Sequence, residues 1–178
     1  LILMQDDAAK EINLVNEFQT KSKVPLMIGM DAEWGIFQRI ATAHKFPWAM
    51  TLGAIQDKNL ITEMAAKIAE DCKRMGINWD FAPVVDVNTN PDNPIIGNRS
   101  FGSEVSNVVH SGLAYSNGLQ NNNILAAIKH FPGHGDTNTD SHLDLPVVSH
   151  DLKRLTDIEL APFKALMDKG IGGVMVAH

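Results

Sequence analysis

Apolar residues gather in four short runs along the chain, and longer stretches of mixed character separate them. The runs cover residues 24–30, 77–87, 124–131 and 171–177. Each is apolar nearly throughout, which is typical of strands that are buried on both faces of a parallel sheet. The runs recur about every fifty residues with helical patterns between them, and this spacing favours βαβ units.

The clearest helical pattern follows Asp57, which can cap a helix, and it stops at Gly76, which can end one. Apolar side chains recur there at spacings of three and four residues. They are Leu60, Ile61, Met64, Ala65, Ile68, Ala69, Cys72 and Met75. Residues 106–119 predict a second helix, and Thr156 with Glu159 matches a capping box that predicts a third. The predicted class is therefore α/β, with helices covering a parallel sheet.

Polar and reactive side chains come at or just after the end of each apolar run. They are Asp31 and Glu33, Asp86 and Asn88, the segment 129–142, and His178. Both (β/α)₈ barrels and doubly wound sheets keep their active sites at this end of the strands. The chain has no Gly-x-Gly-x-x-Gly turn, so the main support for a dinucleotide-binding fold is missing. We predict a (β/α)₈ barrel, present as a fragment because four strands make half of one.

Composition narrows the class of function. The chain has 178 residues, of which 44% are hydrophobic, enough to bury the core of one domain. Its formal charge of -6 and its lack of a Lys/Arg-rich block argue against binding nucleic acid or an anionic membrane surface. Cys72 is the single cysteine, so no intrachain disulfide is expected. No apolar run approaches the length of a membrane span, and no signal peptide is predicted in these residues.

The segment 129–142 carries the densest chemistry, with three His, two Asp and one Lys in a turn-rich stretch. A metal site is one interpretation, since His and carboxylate are suitable ligands. Its ligands would be His130, His134, His142 and Asp140. However, Pro132 and the nearby glycines exclude the helix that a His-Glu-x-x-His site needs.

A catalytic dyad is the second interpretation. Asp140 and His142 alternate in the sequence, so both side chains can face one side of an extended loop. The carboxylate would then bond one ring nitrogen and steady the imidazolium, while the other nitrogen faces the substrate. His142 would deliver a proton to a leaving group and later remove one from water. This chemistry indicates hydrolysis or group transfer without naming a substrate.

Several motifs resemble those of the exo-acting β-N-acetylglucosaminidases of glycoside hydrolase family 3. The longest is Lys-His-Phe-Pro-Gly-His-Gly-Asp-Thr at 129–137, followed by Asp-Ser-His at 140–142. The others are Gly-Met-Asp-Ala-Glu-Trp-Gly at 29–35 with Arg39, Phe-Ala-Pro-Val-Val-Asp-Val at 81–87, and Gly-Asn-Arg-Ser-Phe-Gly at 97–102. They follow the family's order across nearly the whole chain. Trp34 departs from the commoner pattern, in which a second Gly follows the Glu.

The resemblance implies a (β/α)₈ barrel that releases a terminal, non-reducing β-linked N-acetylglucosamine with retention, through a covalent glycosyl-enzyme intermediate. It implies that His142 is the acid/base and that Asp140 orients it. The family's nucleophilic Asp would lie beyond His178. The domain implied for residues 1–178 is a partial N-terminal barrel that lacks its first and last βα units, and these residues alone should be inactive.

By the same resemblance, five residues would hold the sugar hydroxyls through charge-assisted hydrogen bonds. They are Asp31, Arg39, Arg99, Lys129 and His130. The plainer alternatives are that Asp31 caps a helix, that Arg39 is a solvated helix residue and that Arg99 stabilises its glycine-rich loop. His134 is expected to organise its loop, Asp86 to tie down a loop outside the site, and Asp136 to be exposed. The dyad mechanism implies no metal and no organic cofactor.

The Asp-Ser-His dyad favours N-acetylhexosamines, because the family's β-glucosidases share Lys-His-Phe but lack the dyad. A phosphorylase or β-glucosidase of the same family and a catalytically silent sugar-binding domain remain as alternatives. The expected partner is an N-acetylglucosamine-terminated saccharide from a bacterial cell wall, chitin or a glycan, with no nucleic acid and no membrane segment. The sequence leaves open the protein partners, and whether the protein is cytoplasmic or exported.

Overall fold

The structure is a computed structural model that describes residues 1–137, 147 and 150–177. The predicted dyad residues Asp140 and His142 lie outside the described residues, as does His178.

A parallel sheet forms the centre of the fold. Its strands are β1 (Gly29–Met30), β2 (Trp79–Asp80), β3 (Leu125–Phe131) and β4 (Gly173–Val176), in the spatial order β1-β2-β3-β4. Consecutive strands pair in parallel, so their carboxyl ends meet at one edge of the sheet. The predicted α/β class with a parallel sheet is confirmed.

The second apolar run forms a shorter strand than its sequence predicts. Regular pairing covers only β2, and a single bridge joins Val84 to Lys129 further along. Pro83 lies between them and has no N–H to donate, so it interrupts the ladder. Residues 81–87 nevertheless stay buried and carry Asp86 to the carboxyl edge of the sheet.

Six α-helices are described around the sheet: α1 (Ala8–Lys21), α2 (Ala49–Gly53), α3 (Asn59–Arg74), α4 (Val105–Gln120), α5 (Leu152–Asp157) and α6 (Ala161–Met167). Short 3-10 helices cover Ile36–Gln38 and Gly97–Arg99. The first two predicted helices match α3 and α4. Asp57 accepts the N–H of Asn59 at the start of α3, and Gly76 follows its end with a φ of 75°. None of the described helices has the length and hydropathy to cross a membrane.

The predicted capping box is wrong. Thr156 lies inside α5, where its hydroxyl donates to the carbonyl oxygen of Leu152 at 2.7 Å. Glu159 instead pairs with Arg154 at 3.1 Å. Helix α6 begins without a capping side chain and has Pro162 in its first turn, where a missing N–H costs nothing.

The packing of α4 fixes the chain segment that follows β1. A Cβ atom at Gly118 would lie 2.4 Å from the carbonyl oxygen of Thr62, so only glycine permits this close approach of α4 to α3. On the same helix, the buried Tyr115 hydroxyl lies 3.1 Å from the carbonyl oxygens of both Ala32 and Glu33. The core therefore holds the residues around Glu33 at the carboxyl edge of the sheet.

Candidate active site

A pocket of about 260 Å³ opens at the carboxyl ends of the strands. Its lining comes from the segment after β1, the turn around Arg99 and the ends of β3 and β4. The lining residues are Asp31, Glu33, Gln38, Arg39, Ile95, Arg99, Lys129, His130, His134, Met175, Val176 and Ala177. All five residues that the sequence predicts to hold a sugar are among them.

Lys129 sits at the centre of a charge network in this pocket. Its side chain is 2% exposed, and its Nζ lies 2.7 Å from Asp31 Oδ1 and 2.9 Å from Glu33 Oε1. Arg39 Nη2 lies 2.5 Å from the other oxygen of Asp31. Lys129 thus joins two carboxylates that follow β1 to the end of β3. Asp31 and Arg39 pair with each other at the pocket, which goes against their alternatives as a helix cap and a solvated helix residue.

Glu33 is the member of the network that the predicted site left out. Arg99 donates two parallel hydrogen bonds to its carboxylate, from Nε to Oε2 at 2.9 Å and from Nη2 to Oε1 at 2.7 Å. Burial alone would raise the pKa of Glu33, but Lys129 and Arg99 outweigh it and lower that pKa to about 2. The pKa of Asp31 is also lowered, because Lys129 and Arg39 outweigh the effect of its burial. Both carboxylates are therefore charged at neutral pH.

The hydrogen bonds of His130 define its tautomer. Its Nε2 lies 3.3 Å from Arg99 Nη2, and guanidinium nitrogens only donate, so Nε2 is the acceptor. The proton is therefore on Nδ1, which donates to Asp86 Oδ2 at 2.7 Å. The ring presents its Nε2 side to the pocket.

Asp86 holds this part of the site in place from outside the pocket. It is fully buried, and its carboxylate accepts the backbone N–H of His130 at 3.1 Å and that of His134 at 2.7 Å. Asp86 thus ties down the 130–134 loop, as predicted. It also orients the His130 ring, which the sequence pattern did not indicate.

His134 lines the pocket and contacts a residue of its own loop. Its Nδ1 contacts the Thr137 hydroxyl, and its buried Nε2 has no partner among the described residues. Burial lowers the pKa of His134, so the ring is neutral. Of the four residues in the metal interpretation, Asp140 and His142 lie outside the described residues, and neither His130 nor His134 belongs to a group of three described ligand side chains.

Asp80 lies beneath the network and is fully buried. Its Oδ1 accepts the Ala32 N–H at 3.0 Å. Burial raises the pKa of Asp80 to about 7, against the opposing effects of that N–H and of Lys129, and the charges of Asp31 and Glu33 raise it further. The folded protein therefore keeps a proton on Asp80 up to a higher pH than the unfolded chain does.

We expect this proton to make stability fall as the pH rises. The unfolded chain loses it near pH 4 and the folded protein near pH 7, so the contribution of Asp80 to the free energy of unfolding should drop by about 2–3 kcal/mol between pH 5 and pH 7.5. Asp80→Asn should remove most of this slope, because an amide does not titrate. The amide oxygen can still accept the Ala32 N–H, so the local hydrogen bond is kept. Urea unfolding at the two pH values measures it. The exposed Asp168→Asn is the control and should keep the slope; an unchanged slope in Asp80→Asn would contradict the assignment.

The sequence of the chain also matches a known protein family. The sequence model of the glycosyl hydrolase family 3 N terminal domain matches residues 4–178. The chain belongs to glycosyl hydrolase family 3. Beta-hexosaminidase A of Pseudoalteromonas piscicida is 39% identical, over 97% of this chain and 31% of its own length.

Two solved structures resemble the fold, and the first is a glycoside hydrolase family 3 enzyme. A beta-N-acetylglucosaminidase from Paenibacillus sp. str. FPU-7 is 39% identical with a TM-score of 0.91, over 99% of this chain and 35% of its own. The beta-glucoside phosphorylase BglX is 26% identical with a TM-score of 0.93, over 97% of this chain and 32% of its own. The predicted partial (β/α)₈ barrel is confirmed. The present chain spans about a third of the length of each of these three relatives.

Proposed function

We propose that the protein containing this chain is a retaining exo-β-N-acetylglucosaminidase. The observation that carries the proposal is the charge network of Asp31, Glu33, Lys129 and Arg99 in a pocket at the carboxyl edge of a family 3 barrel. The relatives named beta-hexosaminidase A and beta-N-acetylglucosaminidase support the choice of sugar.

In this proposal the network binds the non-reducing terminal sugar. Asp31 has acceptor lone pairs left beside Lys129 and Arg39, and its carboxyl is the more exposed of the two in the network, at 23% against 6% for Glu33. Lys129 uses two of its three N–H groups on carboxylates. Arg39, Arg99 and His130 border the same space. Charged partners make strong hydrogen bonds to hydroxyls and fix the orientation of the ring.

The proposed chemistry takes two steps. In the first, an Asp supplied by a part of the protein outside residues 1–178 attacks the anomeric carbon, and His142 donates its proton to the departing glycosidic oxygen. In the second, His142 takes a proton from water, whose oxygen attacks the anomeric carbon and releases the Asp. Asp140 would orient His142 throughout. This chain spans only about a third of the relatives' length, which agrees with a nucleophile supplied by another part of the protein.

Phosphorolysis is the second candidate, favoured by the likeness to the phosphorylase BglX. In that reaction phosphate replaces water in the second step and the product is a sugar 1-phosphate. A neutral imidazole would repel the phosphate less than a carboxylate would.

Product analysis on the full-length protein tests both candidates. Nitrophenyl β-N-acetylglucosaminide and nitrophenyl β-glucoside are each supplied with and without inorganic phosphate. We expect preferential release of free N-acetylglucosamine, with no dependence on phosphate. A sugar 1-phosphate product would favour the phosphorylase, preference for the glucoside would favour a β-glucosidase, and turnover of neither substrate would favour a silent sugar-binding domain.

A further inference from the structure

A second cluster of ionisable side chains lies outside the pocket lining. Asp136 follows the 130–134 loop, His150 lies 14 residues further along the chain, and Glu159 comes just before α6. One candidate ligand atom from each of the three lies within 4.8 Å of the others. Asp136 was expected to be exposed; this prediction is wrong, because the residue is half-buried against two partners.

The contacts within the cluster hold its ligand atoms in place. His150 Nε2 contacts Asp136 Oδ2, and the Thr89 hydroxyl donates to Asp136 Oδ1 at 2.9 Å. Arg154 Nη2 donates to Glu159 Oε1 at 3.1 Å. An imidazole and two carboxylates therefore converge, with one guanidinium beside them.

A separate observation points to an additional ligand. Glu159 is 2% exposed, and its Oε2 has no hydrogen-bond partner in the described part of the chain. A buried carboxylate oxygen without a donor costs a large desolvation penalty, so such atoms are rare in native proteins. Arg154 makes a single bond to the other oxygen and leaves this one free. A cation next to Oε2 would remove the penalty.

We propose that Asp136, His150 and Glu159 form a binding site for a zinc-class divalent cation. One imidazole with two carboxylates suits Zn²⁺, whereas Ca²⁺ and Mg²⁺ prefer sites made entirely of oxygen. The ligand atoms of a tetrahedral zinc site lie about 3.3 Å apart, so His150 and Asp136 would separate slightly while Glu159 moves closer. Water fills the fourth position, and Arg154 stays on Glu159 as an outer partner.

The ion would have a structural role and take no part in the reaction, because none of its three ligands lines the pocket. Asp136 and His150 bracket the segment that contains Asp140 and His142 in the sequence. One ion bound to both would join the two ends of that segment more firmly than an ion pair does. Metal binding can be measured whether or not the protein is a glycosidase.

Calorimetric titration of the EDTA-treated full-length protein with ZnCl₂ tests the proposal. His142 and Asp140 are also ligand types, so the titration is made in a His142→Ala background. In that background we expect one saturable Zn²⁺ per chain and a rise in melting temperature. Adding His150→Ala should weaken the affinity by at least about 100-fold, since it removes a ligand. Adding the exposed His110→Ala, the matched control, should leave the affinity unchanged.

Two further measurements test the proposal if the His150→Ala variant folds poorly. Glu159→Gln removes the carboxylate charge but keeps the side-chain size, and it should weaken the affinity in the same direction. Binding of Co²⁺ to the His142→Ala protein should give the strong visible absorption of a four-coordinate site. The proposal is overturned if the His142→Ala protein binds no Zn²⁺, or if its affinity survives loss of His150.

Discussion

Replacing Lys129 by methionine is expected to lower the free energy of unfolding by about 3–5 kcal/mol at pH 7, because it leaves two buried or half-buried carboxylates without their shared cation. Lys129 bonds Asp31 at 2.7 Å and lies 2.9 Å from Glu33, with almost none of its side chain exposed. Methionine keeps most of the volume, so the loss reflects charge and not packing. Urea unfolding of the full-length protein measures it.

The pH dependence of this loss distinguishes charge from packing. Without Lys129 the two carboxylates protonate more easily, so the deficit should shrink as the pH falls toward 4. The exposed Lys164→Met variant, which breaks the pair with Asp168, should change stability by less than about 1 kcal/mol. A deficit for Lys129→Met that is the same at pH 4 and pH 7 would show that the ion pairs do not cause it.

Activity should also fall in the Lys129→Met variant, if Lys129 holds a sugar hydroxyl as proposed. Loss of one charged hydrogen bond is worth about 1.5–3 kcal/mol, which corresponds to roughly 10- to 100-fold in kcat/KM. The parent and the Lys129→Met variant are compared without urea, at a temperature at which both remain folded. Unchanged kcat/KM would remove Lys129 from the substrate-binding set and leave it as a structural residue.

Replacing His142 by alanine should lower kcat for nitrophenyl β-N-acetylglucosaminide by about 10²- to 10⁴-fold, the usual contribution of general acid–base catalysis. The exposed His110→Ala variant is the control and should retain full activity.

The leaving group gives a sharper test of the role of His142. An aryl group with several electron-withdrawing substituents departs without protonation, so His142→Ala should slow formation of the glycosyl-enzyme far less with that substrate. A single-turnover burst measures this step. An equal loss with good and poor leaving groups would exclude His142 as the proton donor.

The family resemblance indicated the sugar-binding candidates, but it did not indicate the contacts that support them. Asp31, Arg39, Arg99, Lys129 and His130 were predicted separately, and parallel strands bring them to one pocket. Glu33 was missed as part of the network because its partner Arg99 lies 66 residues away, and no local pattern indicates such a pair. The orienting role of Asp86 depends on a contact over 44 residues.

Local patterns failed where tertiary contacts decided the outcome. Thr156 and Glu159 have the spacing of a capping box, but Arg154 pairs with Glu159 and Thr156 stays within its own helix. Asp136 was predicted to be exposed, whereas Thr89 and His150 cover it from elsewhere in the chain. Both errors come from partners that the sequence does not mark.

The charges at the pocket nearly balance, although the chain as a whole is acidic. The chain carries a formal charge of -6, while the described lining holds three permanent cations, Lys129, Arg39 and Arg99, against the carboxylates Asp31 and Glu33, and a third carboxylate, Asp86, lies directly behind His130. Paired charges at short range create little field at a distance. The affinity of neutral sugars should therefore change little as salt is added.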